Sequence, residues 1–189
     1  MLYLASASPR RRELLSQLGA EFIVKTAQVS EDFSAHWPPA RVVETLALRK
    51  AGAVARQLTT GLVIGADTVV VLEGRILGKP VDNQDALRML SMLDGKTHSV
   101  FTGLAVVDAA SGKSVVAHEE TRVFFCAPDK RQLAEYAASE EVLDKAGAYA
   151  VQGRGARFVQ RIEGCYFNVV GLPLALLNKI LWQEFSYTL

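Results

Sequence analysis

Residues 62–72 read Leu-Val-Ile-Gly-Ala-Asp-Thr-Val-Val-Val-Leu, and no other stretch limits the fold as tightly. A nearly continuous run of β-branched and aliphatic side chains predicts a strand buried on both faces. Such a strand needs layers packed on each side of its sheet, which points to the α/β class. One residue resists this reading. An ionised aspartate inside an apolar strand is costly unless it meets a cation or a metal, and Asp67 sits in the middle of the run. Strand alternation places it with Val63, Gly65, Val69 and Val71 on one face, with Thr68 on the other. Gly65 and Ala66 leave space beside it, as a ligand needs. Two readings follow: a structural ion pair with a buried lysine or arginine, or a general base or metal ligand.

The neighbouring elements can be read from periodicity and punctuation. Residues 2–6 form a short buried strand, and Ser8-Pro9 opens a helix that runs to about Leu18, with Ser8 as its cap. A short strand covers 21–25, a polar loop 26–39, and a helix 40–57. Glu73-Gly74 turns the central strand into a second one at 75–78. A helix spans 83–93. Two long strands, 97–108 and 114–125, meet across Ser111-Gly112. Pro128 opens a helix to 138. Residues 156–162 and 165–170 make a hairpin across Glu163-Gly164, and a last helix covers 173–184 with Pro173 in its first turn. About seven strands and five helices in mixed order give an α/β fold with a mixed sheet. The hairpins argue against a purely parallel, doubly wound one. At roughly 150 residues per domain, 189 residues make one domain or two tightly joined lobes.

Three further polar features stand out. In Ser6-Ala7-Ser8-Pro9-Arg10-Arg11-Arg12, three arginines crowd the first helical turn, where the macrodipole already disfavours cations. Helical spacing places Arg10 and Arg11 above the Leu14/Leu18 stripe and Arg12 toward water. This is either a phosphate cradle of serine hydroxyls, helix N–H groups and two guanidinium forks, or a solvated basic turn. On the 40–57 helix, Lys50 falls in the stripe of Val43, Ala47 and Val54, opposite Arg41, Arg49 and Arg56. Its ammonium either snorkels to an edge or holds an anion in a pocket. Residues 144–153, Asp-Lys-Ala-Gly-Ala-Tyr-Ala-Val-Gln-Gly, fit neither helix nor strand, and read as an ordered loop presenting Asp144, Lys145 and Gln152. Gly78-Lys79-Pro80 has a similar character.

Several classes are excluded. Lys plus Arg is 21 and Asp plus Glu is 20, a net charge of +1, so the overall basic field of a nucleic-acid binder is missing. There is also no aromatic platform for stacking bases. No apolar run approaches 18 residues, and the N-terminus has its charges after its apolar residues, unlike a signal peptide. Cys126 and Cys165 make no CxxC motif, which suits a reduced, cytoplasmic protein. His36, His98 and His118 lack zinc spacing, and GxGxxG, GxxxxGK[ST] and GxSxG are absent. What remains is arginine, lysine, carboxylate and hydroxyl, a set suited to a polyphosphate bridged by a divalent metal, with water as nucleophile.

At these residues the sequence resembles the Maf family of nucleotide pyrophosphatases. The matching blocks are Ser6 to Arg11, Glu31, Lys50, Gly65 to Thr68, Gly78-Lys79-Pro80, Asp144 to Tyr149 with Gln152-Gly153, and Gly171-Leu172-Pro173. They occur in family order over residues 2 to about 175. The resemblance implies one Maf-like domain over 1–189, inosine-triphosphatase-like and elongated. It implies a long bent mixed sheet flanked by helices, with two lobes around a central cleft, in a homodimer. It implies hydrolysis of nucleoside triphosphates at the α–β bond with Mg²⁺ or Mn²⁺, in nucleotide-pool cleaning. Ser6, Ser8, Arg10, Arg11, Lys50, Thr68, Asp144, Lys145 and Gln152 would bind substrate. Asp67, Lys79 and Glu31 would serve catalysis, and Glu31 and Asp67 the metal. Arg10, Thr68 and Gln152 match the dTTP/UTP branch rather than the 7-methyl-GTP branch. A glutamine amide both donates and accepts, as the O4/N3–H edge of uracil or thymine requires. The rival reading is a nucleotide-sensing regulator of cell division and septum formation with little or no catalysis.

Overall fold

The computed structural model describes all residues, 1–189. Seven strands, β1 (Leu2–Leu4), β2 (Phe22–Val24), β3 (Leu62–Leu72), β4 (Arg75–Leu77), β5 (Thr97–Asp108), β6 (Ser114–Phe125) and β7 (Val159–Glu163), build one sheet. Its order is β2-β1-β3-β5-β6-β7, with β4 beside β3. β1 lies parallel to both β2 and β3, while β4 and β7 run antiparallel to their neighbours. The sheet is therefore mixed. The helices are α1 (Pro9–Gln17), α2 (Pro39–Ala55), α3 (Asn83–Leu93), α4 (Lys130–Ala137), α5 (Tyr166–Val170) and α6 (Leu174–Phe185). α1 and α2 are the crossover connections that parallel neighbours require. No helix is long and apolar enough to cross a membrane.

The chain divides into two compact units: Met1–Thr68 with Thr102–Glu119 and Gly171–Leu189, and Val69–Phe101 with Glu120–Val170. In the first unit, α2 lies with its backbone directly on the sheet. A Cβ on Gly65 of β3 would overlap the Ala47 carbonyl oxygen, and one on Gly103 of β5 would overlap the Val43 carbonyl. Ala5, Ala47, Ala51, Val54 and Val63 close the core there. The space expected beside Gly65 for a ligand is thus taken by a helix.

In the second unit, the amphipathic face of α3 (Ala86, Met89, Leu90, Leu93) packs with Leu133, Tyr136, Tyr149, Phe125 and Phe158. Asp82 caps α3 by accepting the Asp85 N–H at 2.7 Å. α4 starts at Lys130 rather than at Pro128, because the Asp129 carboxylate caps it through the Arg131 N–H. Residues 165–170 are not the second arm of a hairpin. Despite their β-branched and aromatic content, Tyr166–Val170 form one helical turn. Tertiary bonds override the local preference. The Thr121 hydroxyl donates to the Cys165 carbonyl and accepts from the Cys165 N–H, and the buried Asn168 amide donates to Val100 O and to Thr121 Oγ1.

Candidate active site

Two clusters form in the first unit. One is built around Arg11, on the first turn of α1. Its Nε donates to Gly171 O at 2.7 Å, Nη1 to Ser6 Oγ at 3.1 Å and Nη2 to Thr68 Oγ1 at 3.1 Å. Thr68 in turn shares a proton with Thr102 at 2.9 Å. Burial lowers the Arg11 pKa from its ordinary value, and the nearby Asp67 carboxylate opposes that shift. Three of the five guanidinium N–H groups thus hold protein atoms. Ser6 Oγ also accepts the Ser8 N–H at 3.3 Å. With two N–H groups on its oxygen, the Ser6 hydroxyl still has its own proton to donate. Ser8 occupies the N-cap position of α1, but its hydroxyl makes no capping bond. Arg10 is half-buried and Arg12 exposed, as the helical spacing predicts.

The second cluster is an ion triad. Lys50 Nζ lies 2.6 Å from Asp67 Oδ1 and 2.7 Å from Glu31 Oε1. The Lys50 and Asp67 side chains are 18% and 14% exposed, while Glu31 is 62% exposed. Both readings of Lys50 and Asp67 meet here: the carboxylate has its buried cation, and the pair opens to solvent through Glu31. The close seating of α2 lets the lysine stem reach the strand. Glu31 comes from a loop, and the loop is tied down by Arg49. Its Nη1 donates to the carbonyls of Ser30 (3.2 Å) and Asp32 (2.6 Å), the residues on either side of Glu31. Sequence reasoning put Arg49 on the face away from the site. A helical wheel gives direction but not reach, and a long side chain curls back to a loop.

The donor set fits a hard divalent cation. Two carboxylates converge on one positive centre, as Mg²⁺ sites with one or two carboxylates and substrate oxygens require. No group of three or more His, Cys, Asp or Glu side chains is assembled anywhere, so such an ion would take its remaining ligands from substrate or water.

The remaining candidates lie in the second unit. The Gly147 N–H donates to Gly78 O at 2.9 Å, which brings Gly78-Lys79-Pro80 beside the Asp144–Tyr149 segment. Gly147 adopts φ +68 and presses against Val70, so a side chain there would be strained as well as crowded. Lys79 is exposed. Lys145 Nζ binds Asp144 Oδ1 at 2.6 Å and Glu141 O at 2.5 Å. Gln152 is half-exposed, between two short 3-10 helices, Ala146–Ala148 and Gly153–Phe158. His98, which no motif singled out, is buried against Phe125 and Tyr149, with Nε2 2.6 Å from Tyr149 Oη. Burial pushes its pKa down to about 4, so the ring is neutral near pH 7.

An α/β fold with a mixed sheet thus carries hydroxyls and an arginine fork after β1 and on the first turn of α1, and a lysine–carboxylate triad drawn from α2, the middle of β3 and a loop. Its fold is similar to that of the Staphylococcus aureus Ham1 protein, with a TM-score of 0.50 over 84% of this chain and 79% of that one, at 14% identity. The profile of the Maf-like protein family matches residues 1–184, and the chain belongs to this family. A relative from Pelotomaculum thermopropionicum, named dTTP/UTP pyrophosphatase, is 57% identical over 98% of this chain and 97% of its own. One from Moorella thermoacetica with the same name is 55% identical over 95% and 93%.

Proposed function

We propose that this chain hydrolyses dTTP and UTP to the monophosphate and pyrophosphate. The observation that carries the reading is the convergence in the first unit of a hydroxyl–guanidinium cluster and a Lys50–Asp67–Glu31 triad. The family and the names of relatives above 50% identity supply the substrate class.

Ser6, Ser8, Arg10, Arg11 and Lys50 hold the phosphates in this reading, Ser6 through its hydroxyl proton and Arg11 through the two N–H groups that bind no protein atom. Thr68 supports them by keeping the Arg11 fork in place. Glu31 and Asp67 would hold a divalent cation, Mg²⁺ or Mn²⁺, which when bound withdraws charge from the phosphate oxygens. With Oδ1 of Asp67 facing Lys50, Oδ2 is the oxygen that takes a proton from the attacking water. The water oxygen bonds to the α-phosphorus as the bond to the α–β bridging oxygen breaks. Pyrophosphate leaves with that oxygen, and the Lys50 ammonium offsets its charge; Lys79 is the cation proposed for catalysis from the second unit. Gln152 reads the pyrimidine edge, with Asp144 and Lys145 shaping the loop that carries it. Cys126 and Cys165 are free thiols, which fits a reducing compartment, and the cytoplasm is where we place it.

The test is pyrophosphate release from a panel of nucleoside triphosphates with Mg²⁺ or Mn²⁺ and an EDTA control. Turnover of dTTP and UTP, with 7-methyl-GTP much slower, is the expected result. Preference for 7-methyl-GTP would overturn the role of Gln152. No turnover by the folded protein would overturn the enzymatic reading in favour of a nucleotide-binding regulator.

A further inference from the structure

Gln152 lies in the longest irregular stretch of the second unit, and something other than regular structure must hold it still. The residues two before and two after it are both fastened to one pair, the buried Tyr136 and the half-exposed Glu141. The Ala150 N–H donates to Tyr136 Oη at 3.3 Å. The Arg154 N–H donates to Glu141 Oε2 at 3.4 Å. The Tyr136 hydroxyl itself donates to Glu141 Oε1 at 3.2 Å, which closes the ring of bonds. The two glycines that follow Gln152 fit around the same pair. A Cβ on Gly153 would stand 2.9 Å from Glu141 Oε1, and one on Gly155 would stand 2.5 Å from Tyr136 Oη. Tyr136 is fully buried in the apolar core of the second unit, on α4. Its hydroxyl is therefore anchored from below, while Gln152 carries no hydrogen bond to the protein.

We propose that Tyr136 and Glu141 are positioning residues for base selection: together they clamp the backbone on both sides of Gln152 and set how close its amide comes to the base. The inference rests on the proposal that Gln152 reads a pyrimidine edge. Recognition by a donor–acceptor pair tolerates displacements of about 0.5 Å and little more. A slackened 150–154 segment would lose the two bonds to thymine and admit a larger purine.

The experiment compares kcat and KM for dTTP and dGTP in the wild type and in Tyr136→Phe, Glu141→Ala, Glu141→Gln and Gln152→Ala. Phenylalanine keeps the ring and removes the bond; Glu141→Ala breaks the clamp from its half-exposed side if Tyr136→Phe fails to fold. The expected result for both is a KM for dTTP raised about 5- to 10-fold with kcat within about twofold, the pattern of lost binding shared by ground and transition states. The dTTP-over-dGTP preference in kcat/KM should fall at least about fivefold. Glu141→Gln, which can still accept the Arg154 N–H, should restore most of the preference. If Gln152→Ala lowers the preference and the clamp variants leave it unchanged, the clamp is overturned while the reading of Gln152 stands. If Gln152→Ala leaves the preference unchanged, the base-reading role falls and the clamp with it. Lower melting temperature with an unchanged preference marks Tyr136 and Glu141 as merely structural and overturns the inference.

Discussion

The two units hold their polar residues in opposite ways. In the first, the side chains themselves are paired. Arg11 grips Ser6, Thr68 and Gly171, and Lys50 grips Asp67 and Glu31, mostly from regular elements. In the second, Lys145 is paired with Asp144 and the Glu141 carbonyl, but around Lys79 and Gln152 it is the backbone that is held. Ala150 and Arg154 are bonded through their N–H groups, Gly147 to Gly78, and Lys79 points to solvent. Charged groups need their partners preset, because an unpaired charge at a half-buried position is costly. An amide such as that of Gln152 carries no charge, and under the proposed function fixing the chain around it is enough.

That contrast can be broken, beginning with the largest effect. Asp67→Asn should lower kcat at least about 100-fold in pyrophosphate release, the low end of proton-transfer catalysis. Near-normal turnover would leave Asp67 as the structural mate of Lys50. Arg11→Lys keeps the charge but cannot satisfy three acceptors in three directions, and should cost about 2 kcal/mol in denaturant unfolding. A loss below about 0.5 kcal/mol would mean the fork matters to ligand more than to fold. The third change concerns the second unit. His98 has its pKa lowered to about 4 in the folded protein, against about 6.5 unfolded. Its contribution to stability is present above pH 6.5 and is lost as pH falls toward 4, because the unfolded state takes up the proton first. Between pH 7 and 5 the wild type should lose about 1.5 kcal/mol from this group, and His98→Gln should flatten that part of the profile. Equal slopes would remove His98 from the account. At the small end, Arg131→Ala breaks an exposed (i, i+4) pair with Glu135 and should change stability by less than about 0.5 kcal/mol.

Much of the first unit was legible before the coordinates. The strand 62–72 agrees to the residue, and the spacing of Asp67, Thr68 and Lys50 placed each on its observed face, because period 2 and period 3.6 report direction reliably. Periodicity does not report what a loop does. Glu31 could be named through the family resemblance, but its anchorage by Arg49 needed the fold. In the second unit, Tyr136 on α4 and Glu141 just after it hold the backbone at Ala150 and Arg154, and that segment has no period to read. Tyr166–Val170 went astray for a related reason: Thr121 and Val100 dictate that turn through Cys165 and Asn168, and neither is a local neighbour in sequence.

The bond from Arg11 to Gly171 joins residues 160 apart. Synthesis delivers Arg11 long before the Gly171 carbonyl, so the fork that presents Ser6 is incomplete until residue 171 has been made. A fragment ending before Gly171 has every charged residue discussed above and still lacks the carbonyl that seats Arg11. Seating of the fork therefore waits on a segment made 160 residues later, and α1 with β1 cannot complete it alone.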